Sequence, residues 1–182
     1  MSYTTVLSVF ELATHLQDPA WAIFDCRALL ADPSAGRQKY LASHIPGALF
    51  ADLKTDLSGP VEPGKTGRHP LPAVDDIAQR LSGWGVDAAT QVVAYDDAGG
   101  AFAARMWWLL RWLGHDAVAV LDGDWRAWEK AGLPVRAGNE VRSPRTFTPH
   151  VRPELLVTSA DMVEHMYHPH YRVFDARATE RY

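Results

Sequence analysis

Cysteine is nearly missing from this chain. A single residue, Cys26, in 182 excludes an internal disulfide framework and any metal site built on clustered thiolates. Blocks of Lys and Arg are missing too: 18 basic against 22 acidic side chains give a net charge of −4. A nucleic-acid partner is not expected, because phosphates ask for a basic face. Long apolar runs are absent as well. The most hydrophobic helical stretch, Ala101–Leu113, is broken by Arg105 and Arg111, so no membrane partner is expected. The first residues, MSYTTVLSVF, lack a basic stretch and a cleavage pattern. A cytoplasmic location is therefore expected.

What is present is enough for a packed core. The composition is 47% hydrophobic, with seven Trp, six Tyr and six Phe. A chain that cannot bury a core does not carry so many aromatics. The length allows one full domain and part of another.

The chain repeats itself. A shift of 150 residues aligns Val6–Arg27 with Leu156–Arg177 without a gap. His15 meets His165, and Phe24-Asp25-x-Arg27 meets Phe174-Asp175-x-Arg177. Leu12 meets Met162, Trp21 meets Tyr171, and Ile23 meets Val173. The expected organisation is a domain over 1–136, a Pro- and Arg-rich linker over 137–155, and the truncated start of a second domain over 156–182. So short a second copy cannot bury its own core.

Within the first copy, apolar periodicity alternates. Strands are expected at Ala22–Asp25, Ala48–Ala51, Gln91–Tyr95 and Ala117–Leu121. Helices are expected at Val9–Leu16 (with a Ser8/Glu11 capping box), Val74–Gly83, Gly100–Leu113 and Trp125–Ala131. Such alternation implies an α/β fold with a mainly parallel sheet and helices on both faces. Active crevices in such sheets lie at the carboxyl ends of the strands.

One such strand end stands out. Asp96-Asp97-Ala98-Gly99-Gly100-Ala101 follows the strand Gln91–Tyr95 and opens into a helix. Gly99 and Gly100 allow the backbone to curl so that several N–H groups converge, and the helix start adds partial positive charge. No Gly-Lys-Ser/Thr follows, so a phosphate-binding P-loop fails. The simpler expectation is that Asp96 and Asp97 turn their carboxylates into those amides as caps.

Other residues are weighed the same way. Asp25 and Arg27 alternate at a strand end and face the same side. Their repeat as Asp175 and Arg177 points to a structural ion pair in each copy. Cys26 lies between an acid and a base, yet no glycine cradle follows it, and a small buried hydrophobe is expected. His165, His168 and His170 are poorly spaced for zinc, and no metal site is expected. Asp122 and Asp124 resemble an Asp-x-Asp phosphatase pair, but Trp125-Arg126-Ala127-Trp128 suits a packed helix better.

Several motifs now carry a resemblance. They are Asp25-Cys26-Arg27, His44-Ile45-Pro46-Gly47-Ala48, Gly67-Arg68-His69-Pro70-Leu71-Pro72, Val93-Ala94-Tyr95-Asp96-Asp97 and Ala104-Arg105-Met106-Trp107-Trp108. Leu121-Asp122-Gly123 and Trp128 complete the set. In order and spacing the chain resembles the amino-terminal half of a two-domain sulfurtransferase of the rhodanese and 3-mercaptopyruvate sulfurtransferase family. The segment Asp175–Tyr182 resembles the start of that family's catalytic domain.

The resemblance implies a definite chemistry. The family's catalytic domain opens its loop with a Cys, which takes sulfur from thiosulfate or 3-mercaptopyruvate as a persulfide. It then passes the sulfur to cyanide or another thiophile. No cofactor is implied. Here Asp96 stands at the loop-Cys position, so no catalytic residue is expected in this chain, and the 182 residues are expected to be inactive alone. Arg181 is implied as a contact to the small anionic donor, through two parallel guanidinium bonds. His69 is implied as a contribution across the interface to the second domain, the intramolecular partner. A catalytically inactive single-domain binding module is the competing reading. A Cys-x5-Arg phosphatase fails, because no Cys occupies the loop.

Overall fold

The computed structural model describes residues 2–177 and Thr179. They fall into two units, one up to Val151 and one from Arg152 onward.

The first unit is built on five parallel strands. In chain order they are β1 (Val6–Leu7), β2 (Trp21–Asp25), β3 (Ala48–Phe50), β4 (Gln91–Tyr95) and β5 (Val118–Leu121). Their order across the sheet is β1-β5-β4-β2-β3. Every pair in it is parallel. The helices of this unit are α1 (Val9–Thr14), α2 (Ala35–Ala42), α3 (Val74–Gly83), α4 (Ala103–Trp112) and α5 (Asp124–Lys130).

Strand parity divides the core. Ala22 and Phe24 of β2, with Val92 and Ala94 of β4, pack with Ile77 and Leu81 of α3 and with Met106, Leu109 and Leu110 of α4. The alternate residues, Trp21, Ile23, Val93 and Tyr95, pack with Leu12 of α1 and with Trp125 and Trp128 of α5. Successive side chains of a strand point to opposite faces, so helices cover both sides. That explains why β2 and β4 are buried along their whole length and read as continuous apolar runs.

Three local features depart from the sequence expectation. α4 starts at Ala103 rather than Gly100. Gly99 and Gly100 hold φ of 70° and 88°, left-handed backbone that a right-handed helix does not contain. Helix α2 was not expected at all. It buries only Gly36 and Tyr40, too little apolar pattern for a periodic signal. The capping box at α1 is half formed: Ser8 Oγ accepts from the Glu11 amide at 3.2 Å, while the Glu11 carboxylate accepts from the Tyr3 hydroxyl.

The stretch from 137 to 151 is extended, as its prolines imply. It is stitched along the first unit rather than left loose. Gly138 N donates to Leu41 O at 2.9 Å, Arg142 reaches Trp21 O at 2.7 Å, and Phe147 enters the α3–α4 core.

The second unit holds a 3-10 turn at Pro153–Leu155 and α6 (Ser159–His165). Thr158 and Asp161 form a complete capping box at α6. No buried residue occurs among its described residues. No counterpart of β2 forms there: residues 171–176 pair with no strand among the described residues. Phe174 is 88% exposed, where its counterpart Phe24 is 0% exposed. The reason is the lack of neighbours. β2 is held between β3 and β4, and nothing equivalent flanks 171–176 among the described residues.

Candidate functional site

The carboxyl ends of β2, β4 and β5 bring three short acidic segments together. At the end of β2, Asp25 is fully buried. Its carboxylate accepts from Arg27 Nη2 at 2.6 Å, from Arg27 Nε at 3.0 Å and from the Arg27 amide at 3.0 Å. The Tyr95 hydroxyl of β4 donates to the same carboxylate at 2.8 Å and accepts from the Ile45 amide at 3.3 Å. Burial, followed by the Asp25 charge, holds the Tyr95 phenol well above its ordinary range, so it stays a donor. Arg27 is 4% exposed, also donates to Ser43 O, and lies 4.4 Å from the centre of the Trp125 ring. A buried guanidinium needs this many partners to offset lost hydration.

The loop after β4 folds around Asp96. That side chain is fully buried. Oδ1 accepts from the amides of Ala98 and Gly100, each at 2.9 Å. Oδ2 accepts from Phe102 at 2.7 Å and Ala103 at 2.9 Å. Four backbone donors thus converge on one carboxylate, which also caps α4. Asp97 does not share this role, contrary to the sequence expectation. It turns away to Lys39 Nζ, 2.5 Å off. The four amides are already satisfied by Asp96, so a second anion would meet repulsion there.

A further loop amide, Gly99, donates to Asp124 Oδ2 at 3.0 Å. Asp124, the first residue of α5, has φ 56°. Burial pushes its carboxyl up, but the Arg126 guanidinium, with the amides of Arg126 and Gly99, outweighs this and holds it below the ordinary range. The Trp125 amide donates to Asp96 O at 2.9 Å. Asp124 is thus a structural clasp for the loop. Sequence reading gave it no such part, although Asp124-x-Arg126 has the same spacing as Asp25-x-Arg27.

Cys26 is 1% exposed among apolar side chains. Burial first, then Asp25, Asp96 and Asp56, raise its thiol well above the usual value. A protonated, enclosed thiol is a poor nucleophile.

His69 lines a cleft together with Arg27, just past the carboxyl end of β2, and with Asp52 and Lys54. Of the acids nearby in sequence, Asp52 acts on it electrostatically, while Asp56 pairs with Arg80. Arg105 is a residue that sequence reading left without a part here. From α4 its Nε donates to Leu57 O and its Nη2 to Pro70 O, both at 2.9 Å, so it ties down the loops flanking His69. The signal was a pair of arginines, Arg105 and Arg111, inside an otherwise apolar helix.

In the second unit, Arg177 Nε donates to Asp175 Oδ2 at 2.8 Å, and both side chains are partly open to solvent. His165 Nδ1 bonds to Asp161 O at 2.9 Å. No group of three metal-ligating side chains forms among the described residues. Arg181 lies outside the described residues.

Comparison with known proteins gives a consistent answer. Residues 8–131 match the rhodanese-like domain model. A probable 3-mercaptopyruvate sulfurtransferase of Pseudomonas aeruginosa is 45% identical over 183 residues, covering 100% of this chain and 64% of that protein. The human 3-mercaptopyruvate sulfurtransferase is 36% identical over 150 residues, covering 80% of this chain and 48% of that one. The chain therefore spans about half to two thirds of these curated relatives. The crystal structure of the 3-mercaptopyruvate sulfotransferase SseA from Escherichia coli superposes with a TM-score of 0.86 at 28% identity, over 98% of this chain and 68% of that one. With five parallel strands in that order and a family model spanning 8–131, the chain belongs to the rhodanese-like domain family.

Proposed function

We propose that this chain provides the non-catalytic domain of a two-domain sulfurtransferase. The intact enzyme moves sulfane sulfur from thiosulfate or 3-mercaptopyruvate to cyanide or another thiophile. Its relatives are named for these two donors.

One observation carries the reading. The loop that could cradle a persulfide is filled by Asp96, whose carboxylate takes four backbone amides. A cradle closed by an internal carboxylate stabilises the fold and leaves no seat for sulfur. The nucleophile is then a Cys of the second domain, outside these 182 residues. Its thiolate attacks the outer sulfur of thiosulfate or the thiol sulfur of 3-mercaptopyruvate, and an S–S bond forms as that sulfur's bond to the sulfonate sulfur or to carbon breaks. Sulfite leaves from thiosulfate, or pyruvate from 3-mercaptopyruvate once its carbon takes up a proton. The acceptor then attacks the terminal sulfur and restores the thiolate. In this reading His69 serves the interface with the second domain, and Arg181 contacts the donor.

The test is thiocyanate formation from thiosulfate and cyanide, and pyruvate release from 3-mercaptopyruvate. The 182-residue chain is expected to match the blank. A chain extended along its coding frame is expected to be active and to lose activity when the Cys of its second loop is replaced. Transfer by the 182 residues themselves, lost in Cys26→Ser, would overturn the reading. A stop codon directly after Tyr182 would also overturn it and leave a rhodanese-like binding module.

A further inference from the structure

β3 is the last strand of the sheet, and a further cleft of about 410 Å³ opens beside it. It shares no lining residue with the cleft of His69. Phe50 of β3, Trp84 just after α3 and Val141 of the extended stretch line it, with Arg37 of α2, Glu140 and Arg142. Val141 is 88% exposed. Trp84 is half-buried, its ring centre 5.1 Å from that of Phe24.

The two arginines meet only neutral hydrogen-bond partners. Arg37 Nη2 donates to the Asn139 side-chain carbonyl at 2.6 Å. That is the one hydrogen bond of its guanidinium among the described residues, so most of its N–H donors remain for a ligand. Arg142 donates to the carbonyls of Trp21 at 2.7 Å and Pro19 at 3.1 Å. Its buried Nε finds no partner among the described residues. Burial, then Arg145, hold the Arg142 guanidinium below its ordinary range, and Asp87 opposes them. A nearby anion would favour the charged form. Glu140 is the one carboxylate among the lining residues, and it is already engaged. Its Oε1 accepts from the Gly47 amide and from Arg136 Nη1, each at 3.2 Å.

The aromatic side chains hold Arg37 in place. Its guanidinium carbon lies 5.7 Å from the centre of the Tyr40 ring and 5.6 Å from that of Phe50. Tyr40 is itself fixed: its hydroxyl donates to Ala48 O at 2.9 Å and accepts from the Glu140 amide at 3.0 Å. A guanidinium resting on rings loses little freedom when it takes a carboxylate through two parallel bonds. Phe50 and Trp84 flank it, and aromatic pairs gain more than their buried area alone supplies. The volume is in the range of small-ligand sites.

We propose that this cleft binds a small aromatic carboxylate, a flat ring bearing one anionic group. Arg37 takes the carboxylate, Arg142 adds positive charge, and Phe50, Trp84 and Val141 take the ring. This goes beyond sulfur transfer, since the site belongs to the first unit's own residues and needs no thiol.

The test is an NMR titration of the isotope-labelled 182-residue chain with 2-naphthoate at pH 7. Neutral 2-naphthol supplies the ring without the charge, and cyclohexanecarboxylate the charge without a flat ring. 2-Naphthoate is expected to saturate one site. Its shifts should centre on the Trp84 indole, the Val141 methyls and the Arg37 Nε–H. Each control should bind at least about tenfold more weakly. Arg37→Gln should weaken 2-naphthoate about tenfold. It should leave the urea midpoint unchanged, because Arg37 is exposed. Equal affinity for either control, an unaffected Arg37→Gln chain, shifts centred on His69 or no shifts would each overturn the site. Binding is read without turnover, so its failure leaves the sulfur-transfer reading standing.

Discussion

Asp25-x-Arg27 and Asp175-x-Arg177 are the same device in two surroundings. In both, the arginine amide and Nε donate to the aspartate two residues before. The local bonds are therefore written in the spacing. What differs is everything else. The first pair is sealed in the fold and joined by Tyr95, Ser43 and the Trp125 ring. The second is exposed, and no hydrogen bond or ion pair joins it to another described residue. A motif of the same chemistry can thus hold a fold together or merely decorate it, and burial decides which.

The widest predicted gap follows from that contrast. Asp25→Ala leaves a buried guanidinium without its counter-charge and is expected to cost about 3–5 kcal/mol. Asp175→Ala is expected to leave the urea denaturation midpoint where it was, since solvent screens an exposed pair. Equal effects of the two substitutions would break the comparison.

The adjacent acids of the β4 loop offer a second contrast. Asp96→Asn replaces one carboxylate oxygen with an NH2 group that faces backbone donors, and about 2 kcal/mol of stability should be lost. Asp97→Asn removes only a half-exposed pair with Lys39, for which less than about 1 kcal/mol is expected. Urea unfolding of both variants decides it. A larger loss at Asp97 would show that the cradle is not closed by Asp96.

The smallest effect concerns pH. His115 is buried, its Nε2 donates to Thr90 O at 2.9 Å, and burial holds its imidazole below the ordinary value. The unfolded imidazole titrates near about 6.5. The neutral folded form is therefore fully favourable above that pH, and stability falls as pH drops through the window below it. His115→Gln should flatten the slope below about pH 6.5.

Much of the fold was legible in the chain. The strands Gln91–Tyr95 and Trp21–Asp25 are apolar runs bounded by turn residues, and α3 carries regular apolar spacing with acids in its first turn. Helix α2 was not legible, because Tyr40 is its one large buried side chain. At the candidate site, the Asp96 loop could be found from its glycines. The separate fate of Asp97 could not, because Lys39 lies 58 positions away in the chain. Arg105 and Asp124 were equally hidden, since their partners come from other elements.

By itself, then, the amino-acid sequence determined the α/β alternation, the parity of the buried strands and the Asp-x-Arg geometry that recurs at 25, 124 and 175. Each depends on neighbours within a few residues, whose spacing sets which face they share. Only the tertiary structure decided which Asp-x-Arg is buried, which of two adjacent carboxylates closes the cradle, and where cations gather without a counter-charge. Those outcomes depend on desolvation and on contacts between distant segments, which exist only once the sheet has brought its strand ends together.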